Sequence, residues 1–239
     1  MKLLATPIGW LLSQIYGIVD NYGLSICILT FLMRLCLYPL FSKQIESNAQ
    51  QAAIQAEIKD IQYRYAADKE EMNRKLAELY SDRGYNPAAG CLPTMIQLPI
   101  LFGLIALLRA PLTYMTSPEM IMAVHESFFW VSDLCQPDTW ILPILAAVTT
   151  YINSVATTAG SPELAENGMM EAMKYFSPIM ILLLGRSFPA GIALYWGVSN
   201  LFSIFQTLAL NKKRKAQEFK RQAEIEAAKR MDKQKRQAK

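Results

Sequence analysis

Five apolar stretches alternate with polar ones along the chain, at about residues 18–41, 90–109, 140–158, 174–188 and 190–210. A bilayer core of ~30 Å needs ~20 apolar residues in a helix. The first and last stretches are long enough to span it. The fourth is short and needs tilt, local thinning or burial against neighbours. Before them, residues 1–17 form an amphipathic pattern of Leu3, Leu4, Ile8, Leu11, Leu12 and Ile15, broken by Pro7 and Gly9, with Trp10 and Tyr16 as interfacial residue types. This predicts a helix lying on the membrane surface. There is no cleavable leader pattern.

Between the first two apolar stretches, polar segment 43–89 carries two further helical periods. Ile54, Ile58, Ile61 and Tyr65 recur at helical spacing, and so do Met72, Leu76 and Leu79. Asp68 opens the second helix with Glu71 three residues on, and Gly84 closes it. The pattern predicts an antiparallel helical hairpin. It reads equally as a packed linker or as a platform for an incoming chain.

The chain has 239 residues, 52% hydrophobic and 18% charged, with mean hydropathy +0.15 and net charge +4. The charge sits in blocks, as in multi-span membrane proteins. Segment 43–89 carries Lys43, Lys59, Arg64, Lys69, Arg74, Lys75 and Arg83, and the tail 211–239 carries twelve Lys and Arg. Loop 111–139 carries only Glu119, Glu126, Asp133 and Asp138. The positive-inside rule puts 43–89 and the tail in the cytoplasm and 111–139 outside.

The fold expected is therefore an all-α polytopic membrane protein with five transmembrane helices around a hydrophilic groove, plus the hairpin and the N-terminal interfacial helix. The spans are 18–42, 90–110, 140–158, 174–188 and 190–210. Loop 159–173 falls inside, the N-terminus outside, and the C-terminus in the cytoplasm.

One charge breaks the apolar rule. Arg34 lies roughly 15 Å from Leu24 and roughly 10 Å from Phe41 along a helix rising ~1.5 Å per residue. Insertion scales put its cost at ~2.5–3.5 kcal/mol or more. The one Asp or Glu in any span is Asp20, at the far end of the first and ~21 Å from Arg34 along a helix, too distant to neutralise it. Snorkelling to the interface would lower the cost; otherwise it faces a wet pocket. Other polar residues accompany it: Thr30 on the same helix face, Gln97 between Pro93 and Pro99, and Thr149, Asn153 and Thr157 in the third span. The fifth span has Trp196, Asn200 and Ser203, with Gln206 off that stripe. A shared hydrophilic interior accounts for them, and so does ordinary hydrogen bonding between helices. A lone positive charge argues against a proton relay or a cation channel.

Little else suggests chemistry. Cys27, Cys36 and Cys91 sit in apolar spans and Cys135 is alone in the long loop, at no metal-like spacing. His125 reads as an interfacial loop residue. Glycine phosphate loops, zinc-protease helices and nucleophile elbows are missing. Neither an enzyme, a cofactor nor a metal is expected. The basic tail suits anionic lipid or, through phosphates, ribosomal RNA; nothing suggests DNA.

Four strings resemble one family, the YidC membrane-protein insertases with their mitochondrial and chloroplast relatives. TFLMRLCLYPL (Thr30–Leu40) is similar to the family's first core span with its groove arginine. NPAAGCLPTMIQLPILFGL (Asn86–Leu104) resembles the approach to its second. FFWVSDLCQPD (Phe128–Asp138) fits the loop before its third, and FPAGIALYWGVSNLFSIFQ (Phe188–Gln206) resembles its last. The resemblance covers the chain in order. It implies a bacterial cytoplasmic-membrane insertase and chaperone for single-span and hairpin substrates, with a groove open to cytoplasm and lipid. Its partners would be nascent membrane proteins and the bilayer, with the ribosome and the Sec translocon as further candidates. In that comparison Arg34 matches the groove arginine, Thr30 and Trp196 match substrate-contact positions, and Gln97 and Asn200 match polar groove positions. Asn153, Ser203 and Gln206 join the groove set from their own polar spacing. The hairpin, about 43–86, would be mobile and needed for insertion. The chain lacks the large periplasmic domain and lipoprotein-type leader of many Gram-negative members, and the lack of a transit peptide favours a bacterium. Alternatives are a small transporter or lipid scramblase, or an assembly factor without insertion activity.

Overall fold

A computed structural model describes residues 2–114, 118–159 and 168–237, and the described chain is helical, with one isolated bridge between Phe128 and Val131 in place of any strand. Expected loop 159–173 falls mainly on residues outside that description.

Helix α1 (Lys2–Val19) runs unbroken through Pro7 and Gly9, contrary to the interruption that those residues suggest. Pro7 lies near the N-terminal end, where it forfeits one backbone bond. Gly9 is needed for packing: a Cβ there would stand 2.7 Å from Leu107 Cδ1. The buried face of α1 (Ala5, Ile8, Leu12, Ile15) packs on α2 and α6.

Helix α2 (Tyr22–Cys36) starts at Asn21, whose side chain accepts from the Leu24 amide at 2.9 Å. It ends at Leu37, and α3 (Tyr38–Ala53) continues at a 62° bend. Pro39 explains the break, since it cannot donate to the Leu35 carbonyl and its ring crowds it. The stretch expected as one span is therefore two helices set at an angle.

Helices α4 (Gln55–Arg64) and α5 (Lys69–Asp82) pack against each other. Asp68 caps α5 by accepting from the amides of Glu70 and Glu71 at 3.1 and 3.0 Å. Gly84, at φ +59°, supplies the left-handed turn after it. Ile54, Ile58 and Tyr85 form a small core with Leu76, Leu79 and Tyr80, separate from the main one.

Helix α6 (Pro87–Arg109) leads to two short turns, α7 (Pro111–Tyr114) and α8 (Pro118–Ala123). Next come α9 (Ile141–Ala159), α10 (Gly168–Gly185) and α11 (Ala190–Gln237), the last a single 48-residue helix that carries apolar and basic segments alike. α9 lies between α10 and α11, and α11 also packs on α2.

Within the described residues, α9 and Ala190–Ala216 of α11 are long and apolar enough to cross a membrane, and the bent α2–α3 pair makes a third if it is one span. Their outer faces show large apolar side chains: Ile144, Val148 and Ile152 on α9, Leu201, Phe205 and Leu208 on α11. That is how helices facing lipid look.

The main core gathers Leu12, Tyr22, Ile26, Leu107, Leu108, Val124, Leu134 and Ile192 at one end of the bundle. The loop before α9 is sewn into it. Glu126 accepts from the Tyr22 amide at 2.8 Å and from the Tyr16 hydroxyl. The amides of Ala190 and Gly191 donate to the carbonyls of Gln136 and Leu134 at 2.8 and 3.0 Å. Gly23 lets Phe128 lie against α2, for a Cβ there would overlap the ring at 2.3 Å.

Candidate functional site: a buried arginine among three helices

Arg34 faces inward from α2 and is only 9% exposed. Its Nε donates to Ser199 Oγ of α11 at 2.7 Å. Its guanidinium carbon lies 4.3 Å from the centroid of the Phe41 ring. Phe41 lies on α3, beyond the bend, two turns on from Arg34 along the same face. Nη1 is buried with no hydrogen-bond partner, and no carboxylate pairs with Arg34 among the described residues. A desolvated guanidinium with an unspent donor has unused capacity for an acceptor.

The polar chain continues past Ser199. Tyr195 stands one turn earlier on α11, and Gln97 Nε2 of α6 donates to its phenol oxygen. Two hydrogen-bonded pairs from three helices, Arg34 with Ser199 and Gln97 with Tyr195, thus meet on one face of α11, where Ser199 and Tyr195 are a turn apart.

The other expected groove residues do not all join it. Thr30, one turn before Arg34, is almost fully buried and donates to its own helix at the Ile26 carbonyl, 2.6 Å away. Asn200 turns toward α9, where its amide donates to Thr150 Oγ1 at 2.7 Å. Asn153, also on α9, is half-buried with its Oδ1 unpartnered. Trp196 packs partly buried against the main core, and Ser203 is half-buried on α11. Gln206 reaches α3, donating to the Tyr38 carbonyl at 3.1 Å and Ser42 Oγ at 3.2 Å. The set divides into a cluster at Arg34, a junction between α9 and α11, and a tie from α11 to α3.

Sequence reasoning missed Tyr195, Ser199 and Phe41. The signal for the first two lay one residue away from the stripe chosen. Tyr195, Ser199, Phe202 and Gln206 recur at i, i+4, i+7 and i+11, and they face α2, α3 and α6, whereas the stripe through Trp196 and Asn200 faces elsewhere. Gln206 is off one stripe because it belongs to the other. Phe41 stands seven residues after Arg34, a same-face spacing that the reading did not use.

Comparisons with known proteins agree with this architecture. Residues 14–218 match the family model described as 60Kd inner membrane protein. The chain is 34% identical to membrane protein insertase YidC 2 of Listeria innocua, over 92% of this chain and 76% of that one. It is 37% identical to membrane protein insertase YidC of Oceanobacillus iheyensis, covering 86% and 81%, and 36% identical to membrane protein insertase MisCA of Bacillus subtilis, covering 87% and 78%. Among solved structures it resembles one described as an active YidC insertase with the first transmembrane domain resolved, with TM-score 0.64 and 23% identity. That match covers 84% of this chain but 44% of the solved one, and shows a shared fold. With a family model matched over most of its length and relatives above 30% identity matched over more than three quarters of their own length, the chain belongs to the 60 kDa inner membrane protein family, that of the YidC insertases.

Proposed function

We propose that this chain inserts membrane proteins by drawing a short hydrophilic segment of its substrate to Arg34 and releasing the substrate's apolar helix into lipid. The observation that carries the reading is the buried Nη1 of Arg34, a charged donor without an acceptor, in a protein whose outer faces are apolar. An acidic or carbonyl-rich segment would satisfy it. Ser199 and Phe41 offset the cost of keeping the charge there: a hydrogen bond to a charged group contributes ~1.5–3 kcal/mol and a desolvated cation–π contact about 2 kcal/mol.

The reading extends to the whole architecture. Five spans, the α4–α5 hairpin in the cytoplasm, loop 111–139 and the N-terminus outside, and the basic tail inside follow from the charge distribution. The polar cluster around Arg34 would then lie part of the way across the bilayer. A polar tail pays heavily to cross hydrocarbon. An acceptor-hungry site within the membrane shortens that crossing, and the apolar helix then partitions sideways at ~25 cal/mol per Å² of surface removed from water. Because Arg34 is covered by Phe41, engagement requires α3 to swing aside. No covalent step or nucleotide enters this scheme. The twelve cationic residues of the tail suit phosphate-bearing partners, whether lipid headgroups or the ribosome, and cooperation with the Sec translocon is compatible with a lateral exit.

The test is protease protection in liposomes holding only this protein and a single-span substrate with a short acidic outer tail. Wild type should protect the tail, Arg34→Ala should do so several-fold less, and Arg34→Lys should be intermediate. Equal protection by all three would remove Arg34 from the mechanism. No protection above empty liposomes would favour an assembly factor instead.

A further inference from the structure

Outside the Arg34 cluster, the fold brings His125, Asp133 and Cys135 together where the loop before α9 meets the start of α11. One ligating atom from each lies within 4.8 Å of the other two. We propose that these three residues bind a single divalent cation of the zinc class. The assignment is independent of the insertase reading and departs from the expectation of no metal. That expectation came from spacing, since His125 and Cys135 fit no common ligand pattern; folding of the loop, with Asp133, completes the set.

The donor types suit the ion. Imidazole, carboxylate and thiolate together favour a borderline metal over magnesium or calcium. Tetrahedral zinc, with bonds of ~2.0–2.3 Å, needs ligand atoms roughly 3.3–3.6 Å apart. His125 Nδ1 and Asp133 Oδ2 are 3.0 Å apart, slightly closer than that. Seating an ion requires them to part by a few tenths of an ångström and the widest pair to close by roughly an ångström. Three protein ligands leave a fourth position for water.

The frame around these ligands is built. Asp133 Oδ1 accepts from the Cys135 amide at 2.8 Å, which directs Oδ2 to His125. The Leu134 amide donates to the Glu126 carbonyl at 3.3 Å, pairing the two strands of chain that carry the ligands. The bonds from Ala190 and Gly191 to Gln136 and Leu134 fasten this part of the loop to α11. His125 and Cys135 open onto a recess of about 360 Å³, also lined by Arg109, Gln136 and Ser187, so an ion can reach them. Arg109 is the cation on that wall, and its guanidinium is stacked over Phe188 at 5.3 Å.

Cys135 Sγ donates to the Leu108 carbonyl at 3.0 Å, a hydrogen bond that a bound ion would replace. As the metal–sulfur bond forms, the thiol proton leaves to solvent, and the cation neutralises the thiolate and Asp133 together.

The test uses the purified full chain in detergent, with thiols reduced, titrated with Co(II) as a spectroscopic probe. One equivalent should bind, with thiolate-to-cobalt charge-transfer and tetrahedral d–d absorption, both displaced by Zn(II). Cys135→Ser should abolish the charge-transfer band. His125→Ala should weaken binding by more than the ~10–100-fold that loss of a ligand's supporting group costs. Zn(II) should also slow alkylation of Cys135 in the wild type, a reading that needs no variant to fold. Absence of a saturable band, a band that survives Cys135→Ser, or an alkylation rate indifferent to Zn(II) would each overturn the site.

Discussion

Arg34 of α2 and Ser199 of α11 are joined by a 2.7 Å hydrogen bond inside the helical bundle, although 165 residues separate them in sequence. Ser199 accepts from the guanidinium, and one turn earlier Tyr195 accepts from Gln97, so the same face of α11 ties α2 and α6. Ser199→Ala would strand Arg34 Nε as a buried donor, at about 1.5–3 kcal/mol for a bond to a charged group. The expected outcome is a lower unfolding temperature in detergent for Ser199→Ala, with Ser199→Thr close to wild type. The same variant should impair insertion of substrates with acidic tails more than those with neutral tails. Equal impairment of both would make Ser199 a purely structural residue.

Asn200 and Thr150 make a separable case. Their 2.7 Å bond holds α11 against α9, and Asn200 Nδ2 also lies 3.4 Å from Thr149 Oγ1. Hydrogen bonds between membrane helices couple by ~0.6 kcal/mol on average and up to ~1.7 kcal/mol. A double-mutant cycle of Asn200→Ala and Thr150→Val, read from unfolding in detergent, should give a coupling in that range. Coupling near zero, together with loss of insertion in Asn200→Ala alone, would move Asn200 from the helix junction to the substrate path.

Much of the helical pattern was legible because apolar period and capping chemistry act locally. Asp68 and Gly84 mark the ends of α5 in the sequence as they do in space. Arg34 stood out for an equally local reason, its cost in an apolar stretch. What escaped depended on geometry between elements. The 62° bend before Pro39 sets α3 at an angle to α2, and a span read as straight hides that. The apolar part of α11 is polar on two faces, and one-residue rotation decides whether Asn200 or Ser199 meets Arg34; periodicity gives the faces but not their neighbours. Continuity of α1 through Pro7 was missed because the bond that Pro7 forfeits is offset by packing of the helix's buried face on α2 and α6, which the sequence does not show. His125, Asp133 and Cys135 meet only because the loop is tied back to α11.

Asp138 gives a pH-dependent prediction. Its carboxylate stands at the start of α9 and accepts from the amides of Leu142 at 2.8 Å and Trp140 at 3.3 Å, and from the Trp130 indole at 3.1 Å. Partial burial pushes its pKa up, but these hydrogen bonds outweigh that and hold it below the ordinary value of 3.8. With the folded value below the unfolded one, the carboxylate stabilises the fold fully above the ordinary aspartate range. That contribution is lost as pH falls through the folded value. Loss of an N-terminal cap costs about 0.5–2 kcal/mol, so Asp138→Ala should unfold at lower temperature than wild type at neutral pH. Asp138→Asn, which keeps an acceptor but no charge, should fall between them. Unfolding followed by near-UV circular dichroism at pH 7 and again below about pH 3 should show the gap between wild type and Asp138→Asn narrowing in acid. A gap that stays constant would mean that the charge contributes nothing and that Asp138 acts only as a neutral acceptor for α9.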